Sequence, residues 1–190
     1  DRLLVQFRIL GGTSTTPEPP DQPWFAPFPR FGYWLPGHAI SAEPLRPLLR
    51  GAEPRIIPIL FYRAVLEGAG TATVEALVAE ISQRGLIPLP LVVSSLKDAA
   101  NVAFVRQALS AHPPSAILNL TGFALGLADL PEAQNPFADT DAPVIQLVQA
   151  GRPEAQWLAD SQGLTSRDLA MQIVLPELDG RIGGILVGHK

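Results

Sequence analysis

The sequence predicts an α/β fold: a doubly wound, flavodoxin-like parallel sheet of about five strands, preceded by a Pro- and aromatic-rich segment. Short apolar runs at residues 56–62, 86–93, 116–120, 144–148 and 182–187 have the length and Ile/Val/Leu content of strands buried on both faces. Helical patterns stand between them, the alternation expected of parallel strands joined by crossover helices. The third observation is a pair of prolines, Pro88 and Pro90, in the second run. Their missing N–H groups fall on one side of the strand, which places it at a sheet edge and selects the order 2-1-3-4-5.

Residues 3–10 (LLVQFRIL) read as a strand stopped by Gly11-Gly12. From Thr13 to Pro54 proline, glycine and aromatic residues dominate, and no helical or strand period survives. The division expected is therefore residues 1–54 as an N-terminal attachment and 55–190 as the α/β domain. The attachment has too many large rings for disorder. Either they pack on this domain or a neighbour, or they form an apolar wall for a flat ligand.

In the first crossover Val74, Leu77, Val78 and Ile81 make one apolar stripe, with Thr71 or Thr73 as cap and Gly85 as terminator. Pro58 is expected near the start of its strand. A second helix follows Asp98, turning Val102, Val105 and Leu109 inward and ending before Pro113-Pro114. Trp157 and Leu158 mark a short helix. Thr165-Ser166-Arg167-Asp168 reads as a capping box opening another helix through Met171 to about Leu175, weakened at Pro176 and closed by Gly180.

With 190 residues, 47% of them hydrophobic, there is enough chain for one ordinary domain and an appendage. Every apolar run is interrupted before membrane-spanning length. A net charge of −4 and the lack of any basic cluster argue against a nucleic-acid partner. Without cysteine there is neither a disulfide framework nor a thiolate metal site, which fits a cytoplasmic protein. The chain starts at Asp1 and its one Met is Met171, the expectation for a piece of a longer polypeptide.

Motifs that carry chemistry are few. Gly68-Ala69-Gly70 lacks the third glycine of a dinucleotide loop and reads as a turn. No P-loop, HExxH or GxSxG is present, and His38, His112 and His189 have no ligand spacing, so no metal site is expected. His112 is expected at a helix C-terminus, where the dipole favours its charge. Glu177 and Asp179 read as surface capping residues. Ligands of open α/β sheets bind outside the carboxyl ends of strands, which selects Tyr62, Arg63, Ser94, Ser95, Lys97, Thr121, Gly122 and Gln149 as binding candidates. Arg63 and Lys97 suit carboxylates, and Trp34 and His38 join the candidates from the aromatic segment. Each has a plainer reading as a cap, a core ring or a solvated side chain.

Several stretches are more specific. Ile59-Leu60-Phe61-Tyr62-Arg63-Ala64, Leu86-Ile87-Pro88-Leu89-Pro90, Ser94-Ser95-Leu96-Lys97-Asp98, Asn119-Leu120-Thr121-Gly122-Phe123-Ala124 and Arg167-Asp168-Leu169-Ala170-Met171 occur in order, followed by Leu175-Pro176-Glu177-Leu178-Asp179-Gly180. Together they resemble the large subunits of aerobic cobaltochelatase (CobN) and magnesium chelatase, from about Gly32 to the C-terminus. The Phe-Tyr-Arg and Ser-Ser-Leu-Lys-Asp pieces favour the cobalt branch. The resemblance implies an N-terminal portion of a tetrapyrrole-binding subunit that works with two AAA+-type ATPase subunits. The reaction implied is insertion of cobalt(II) into hydrogenobyrinic acid a,c-diamide, with ATP and Mg²⁺ on the partners and no cofactor on this piece. No catalytic residue is carried over. A magnesium chelatase fragment, a scaffold or interaction domain, and an unrelated small-molecule-binding domain remain as alternatives.

Overall fold

The computed structural model describes residues 28–45, 55–68, 70–122 and 135–189. The strand expected at residues 3–10, the rings at Trp24 and Phe25, and Ala69 lie outside them. In chain order the elements are β1 (Phe31–Tyr33), β2 (Ile56–Tyr62), α1 (Ala64–Glu67), α2 (Ala72–Gln83), β3 (Ile87–Val93), α3 (Ala99–Ala111), β4 (Ile117–Asn119), β5 (Val144–Ala150) and α4 (Glu154–Ala159). A last helical stretch comprises α5 (Ser166–Leu169), a π-helical segment (Ala170–Val174) and α6 (Leu175–Leu178), and leads into β6 (Ile182–His189).

The sheet is six-stranded and mixed, in the order β1-β3-β2-β4-β5-β6. The five parallel strands follow the expected path, but the sheet is not the simple five-stranded flavodoxin arrangement, and the Pro-rich strand is not its edge. β1 pairs antiparallel with β3, Phe31 opposite Val93 and Tyr33 opposite Leu91. A strand period was invisible in the aromatic segment because only three residues pair. The prolines explain that brevity. Ile87 donates to Arg55 on the β2 side, so by alternation Pro88 and Pro90 turn their missing donors toward β1. The ladder therefore starts beyond Pro90, whose carbonyl still accepts from Trp34 N at 3.1 Å. Gly32 allows the return of the chain beside β1: a Cβ there would stand 2.5 Å from Ser41 O.

Pro58 is the third residue of β2, and its gap faces β4. There the pairing is broken: Ile56 bridges Pro114, and regular pairing resumes only at Ile59–Leu118 and Leu60–Asn119. Two apolar layers sandwich the sheet. Ile57, Ile59, Phe61 and Val92 meet Val74 and Ile81 of α2. On the other face Ile56, Leu60, Leu89, Leu91 and Val93 meet Val105, Ala108 and Leu109 of α3. Of the described aromatic residues in this segment, Phe31, Tyr33 and Trp34 pack on this same domain, Tyr33 edge-on to Phe104 at 5.2 Å and Trp34 edge-on to Phe61 at 5.8 Å, while Phe28 is exposed.

Asp98 caps α3 by accepting from Ala100 N, and Gly85 closes the α2 turn with φ +71°. Thr71 occupies the N-cap of α2 without a side-chain bond. Thr165 and Asp168 make both bonds of the capping box. The helix they open runs past Leu175, because Pro176 does not end it. The turn ahead of Pro176 widens instead, Leu175 N reaching Ala170 O five residues back.

Gly184 packs under this stretch, and a Cβ on it would come 2.6 Å from Val148 Cγ2. Gly184→Ala is expected to cost about 1–3 kcal/mol by overpacking, read as a lower urea midpoint at unchanged m-value. His112 caps the C-terminus of α3 and lies edge-on to Tyr33 at 6.4 Å. Burial wins over the dipole and lowers its pKa from the usual 6.5. Its contribution is thus present above pH 6.5 and lost as pH falls toward the folded-state value. Urea midpoints at pH 7.5 and 5.5 should fall with acidification, and less steeply in His112→Gln.

Candidate functional site

A cleft forms because β4 stops early. Its last residue, Asn119, pairs with Leu60 on one side and Gln146 on the other. Phe61 and Tyr62 carry β2 past that level, and Leu147 to Ala150 carry β5 past it. The strand order also reverses here, with β3 and β4 on opposite sides of β2, so the gap opens at the topological switch point. Its volume is about 770 Å³, and its walls include Tyr62, Val65, Thr73, Leu120, Gly122, Gln149, Met171, Gln172 and His189.

Beneath the cleft lies a buried polar layer. Asn119 donates to Thr121 O at 3.1 Å and to Gln146 Oε1 at 2.7 Å, and accepts from Thr121 Oγ1 at 2.7 Å. Arg181 enters from the far side, donating to Gln146 Oε1 at 3.2 Å and Thr121 O at 3.4 Å. Its guanidinium pairs with Asp179 at 3.4 Å, and each side chain is 1% exposed. Asp179 is therefore an interior partner and not a surface cap, while Glu177 is exposed. Burial pulls Arg181 below its usual pKa, opposed by the charge of Asp179. Tyr62 donates to Gly122 O at 3.1 Å; burial raises its pKa, opposed by Arg181.

The opposite wall comes from the last helical stretch. Gln172 donates to Gln149 O at 2.8 Å and accepts from Gln149 N at 2.9 Å, so its amide stands in for a neighbouring strand where the β5–β6 register shifts. Gln149 in turn donates to Thr73 Oγ1 at 3.0 Å. Asp168 accepts from Thr165 Oγ1 at 2.7 Å and from Gln172 Nε2 at 3.3 Å. Gly151 gives it room, since a Cβ there would lie 2.9 Å from Asp168 Oδ1. His189 lies edge-on to Trp157 at 5.2 Å, and its buried Nδ1 has no hydrogen-bond partner among the described residues.

Apolar Val65, Leu120 and Met171 with small Ala64, Gly70, Ala72 and Gly122 leave room for a flat body, and Thr73, Arg167, Gln149 and His189 offer polar groups at its margin. Among the described residues no three His, Cys, Asp or Glu come together as metal ligands, and no helix is long and apolar enough to cross a membrane.

Of the candidates read from the sequence, Tyr62, Gly122 and Gln149 line this cleft, and Thr121 lies in the buried layer below. Arg63 stands beside it, paired with Glu67 at 3.0 Å and donating to Phe28 O at 3.4 Å. Ser94, Ser95 and Lys97 follow β3: Ser94 bonds Asn101, Ser95 Oγ accepts from Lys97 N, and Lys97 is exposed. Trp34 is 6% exposed in the core, and His38 lies in an exposed turn. Thr73, Arg167, Asp168, Met171, Gln172 and His189 were not selected by the strand-end rule. The capping box and Pro176 were the available signals for the wall they form.

The fold and cleft define an α/β domain built on a six-stranded mixed sheet with a cleft at its switch point. The chain belongs to the CobN/magnesium chelatase family, whose model matches residues 13–190. It is 38% identical over 172 residues to the aerobic cobaltochelatase subunit CobN of a Sinorhizobium species, and 38% identical over 165 residues to that of Pseudomonas aeruginosa. These alignments take in 86% and 85% of this chain but only 14% and 13% of the relatives. The catalytic subunit of cobaltochelatase from Mycobacterium tuberculosis has the same fold over 95% of this chain and 14% of that one, with a TM-score of 0.60 and 25% identity.

The buried pair makes a sharp expectation. Arg181→Ala removes a buried cation from Asp179, Gln146 and Thr121 and should lower the unfolding free energy by about 3–5 kcal/mol. Arg181→Ala combined with Asp179→Ala should lose less than Arg181→Ala alone, which chemical denaturation of the two variants would measure.

Proposed function

We propose that the chain is part of the tetrapyrrole-binding large subunit of an ATP-dependent cobaltochelatase, which inserts cobalt(II) into hydrogenobyrinic acid a,c-diamide during cobalamin biosynthesis in the cytoplasm. The observation that carries this reading is the 38% identity to two CobN subunits, sustained over 172 and 165 residues. The cleft supports it. Ligand pockets run from roughly 300 to 1,000 Å³, so a space of about 770 Å³ suits an edge of a large flat macrocycle.

Metal insertion requires the macrocycle to be bent and two pyrrole protons to be removed. Cobalt(II) is a substrate here, and two AAA+-type partner subunits carry ATP and Mg²⁺. This domain's share is to bind and orient. Val65, Leu120 and Met171 shield an apolar ring edge from water, and Thr73, Gln149 and Arg167 meet its amide or carboxylate substituents.

The test is reconstitution of the full-length large subunit with both ATPase subunits, followed by absorbance. ATP-dependent insertion of cobalt(II) into the a,c-diamide is expected; insertion of magnesium into a porphyrin instead would assign the chain to the other branch. Within the same subunit, Ala64→Trp should block the cleft and weaken macrocycle binding by at least about tenfold, or 1.4 kcal/mol. Lys97→Ala should change it by less than about twofold. The reverse pattern would move the contact to the rim of Arg63, Ser94, Ser95 and Lys97.

A further inference from the structure

Among the described residues, the order of the connections leaves the α2 side of the edge strand β6 open. Gln149 of β5 reaches Thr73 of α2. Ile145 and Leu147 alternate with Gln149 along β5 and so face the α2 side as well. Ile182 and Ile185 of β6 pair with Ile145 and Leu147, and share that face. Yet they are 54% and 56% exposed. Val148 points the other way, where Gly184 and Ile173 cover it.

Crossover handedness explains the asymmetry. Right-handed connections that step in opposite directions along a sheet stack on opposite faces. The step from β2 to β3 goes one way and puts α2 on its face. The steps from β3 to β4 and from β5 to β6 go the other way, so neither covers β6 on the α2 side, whereas Leu147 of β5 is 3% exposed there. Parallel strands are nearly always covered on both faces.

We propose that an amphipathic helix from the remainder of the same large subunit seats on this face, alongside α2 and across β6. A groove of about 530 Å³ already runs between α2 and β6, bounded by Ala72, Ala76, Val187 and Gly188. Small residues there let a helix axis approach to roughly 8–10 Å. The length from which such a helix comes is present in the relatives, of which this chain spans 13–14%. The proposal rests on the reading that the chain is part of a longer large subunit, and commits further to one occupant of one face.

The test uses the full-length subunit, with Ile182→Cys and Ile185→Cys as probes and Glu80→Cys, exposed on α2, as control; peptide mass spectrometry separates these thiols from any others. All three side chains are exposed within this domain, so its own folding is retained. Maleimide labelling at 182 and 185 is expected to be slower than at 80 by about tenfold or more, as for a site opened only by local unfolding, at every protein concentration. A photo-cross-linking residue at 185 should join a helical segment of the same chain. Labelling at the control rate, protection that disappears on dilution, or cross-links confined to an ATPase subunit would each overturn it. Failed cobalt insertion would count against the functional reading and leave these labelling rates as a separate result.

Discussion

The cleft depends on one side chain, the Asn119 carboxamide. It accepts from Thr121 N at 3.3 Å and Thr121 Oγ1 at 2.7 Å while donating to Thr121 O at 3.1 Å. A carboxamide that bonds the backbone two residues on competes with strand pairing and turns the chain. β4 therefore ends after three residues, and Thr121 and Gly122 leave the sheet. Its neighbours continue, and the space between them is the cleft. An apolar residue at 119 would remove the competitor and leave the buried Thr121 N–H without its acceptor, at a cost of about 1–3 kcal/mol, while Gln146 Oε1 keeps Arg181.

That polar layer brings a charge with it. Arg181 donates to two neutral oxygens and pairs with Asp179, so the guanidinium is held by a mixed shell and not by one carboxylate. Its Nε has no partner among the described residues. A buried pair of this kind is a weak source of net stability but a strong constraint on geometry, because breaking it leaves a charge in the interior. Arg181 precedes β6 and bonds the turn after β4, so the far strand and the cleft floor are fixed to each other through β5. The specific Leu-Pro-Glu-Leu-Asp-Gly stretch is thereby explained in part: Pro176 follows the widened turn, Asp179 balances Arg181, and Gly180 supplies φ +72°.

Much of this was legible in the sequence. Apolar runs marked the five parallel strands, and Gly85, Asp98, Pro113 and the Thr165–Asp168 box marked helix ends, because each acts through local backbone geometry. What escaped acts at a distance. β1 was hidden because three paired residues carry no period, and its partner looked like an edge because proline withdraws donors without withdrawing acceptors. The burial of Asp179 could not be read from its turn-forming neighbours. The strand-end rule found Tyr62, Gly122 and Gln149, but Thr73 and Gln172 reach the cleft from helices that the rule does not cover.

Arg63 shows how the rim and the cleft relate. Its guanidinium already holds Glu67 one helical turn on, a pair with side chains 28% and 46% exposed. Exposed pairs of this type are worth at most about 1 kcal/mol, and a bidentate contact to a ligand carboxylate exceeds that when desolvated. Glu67 therefore holds Arg63 in place without preventing an exchange of partners. Lys97 is exposed at the end of β3, beyond Tyr62 from the cleft, and binding there would order a long side chain with little enclosure in return. Arg63 thus stays at the margin of the cleft, held by Glu67 and by the Phe28 carbonyl.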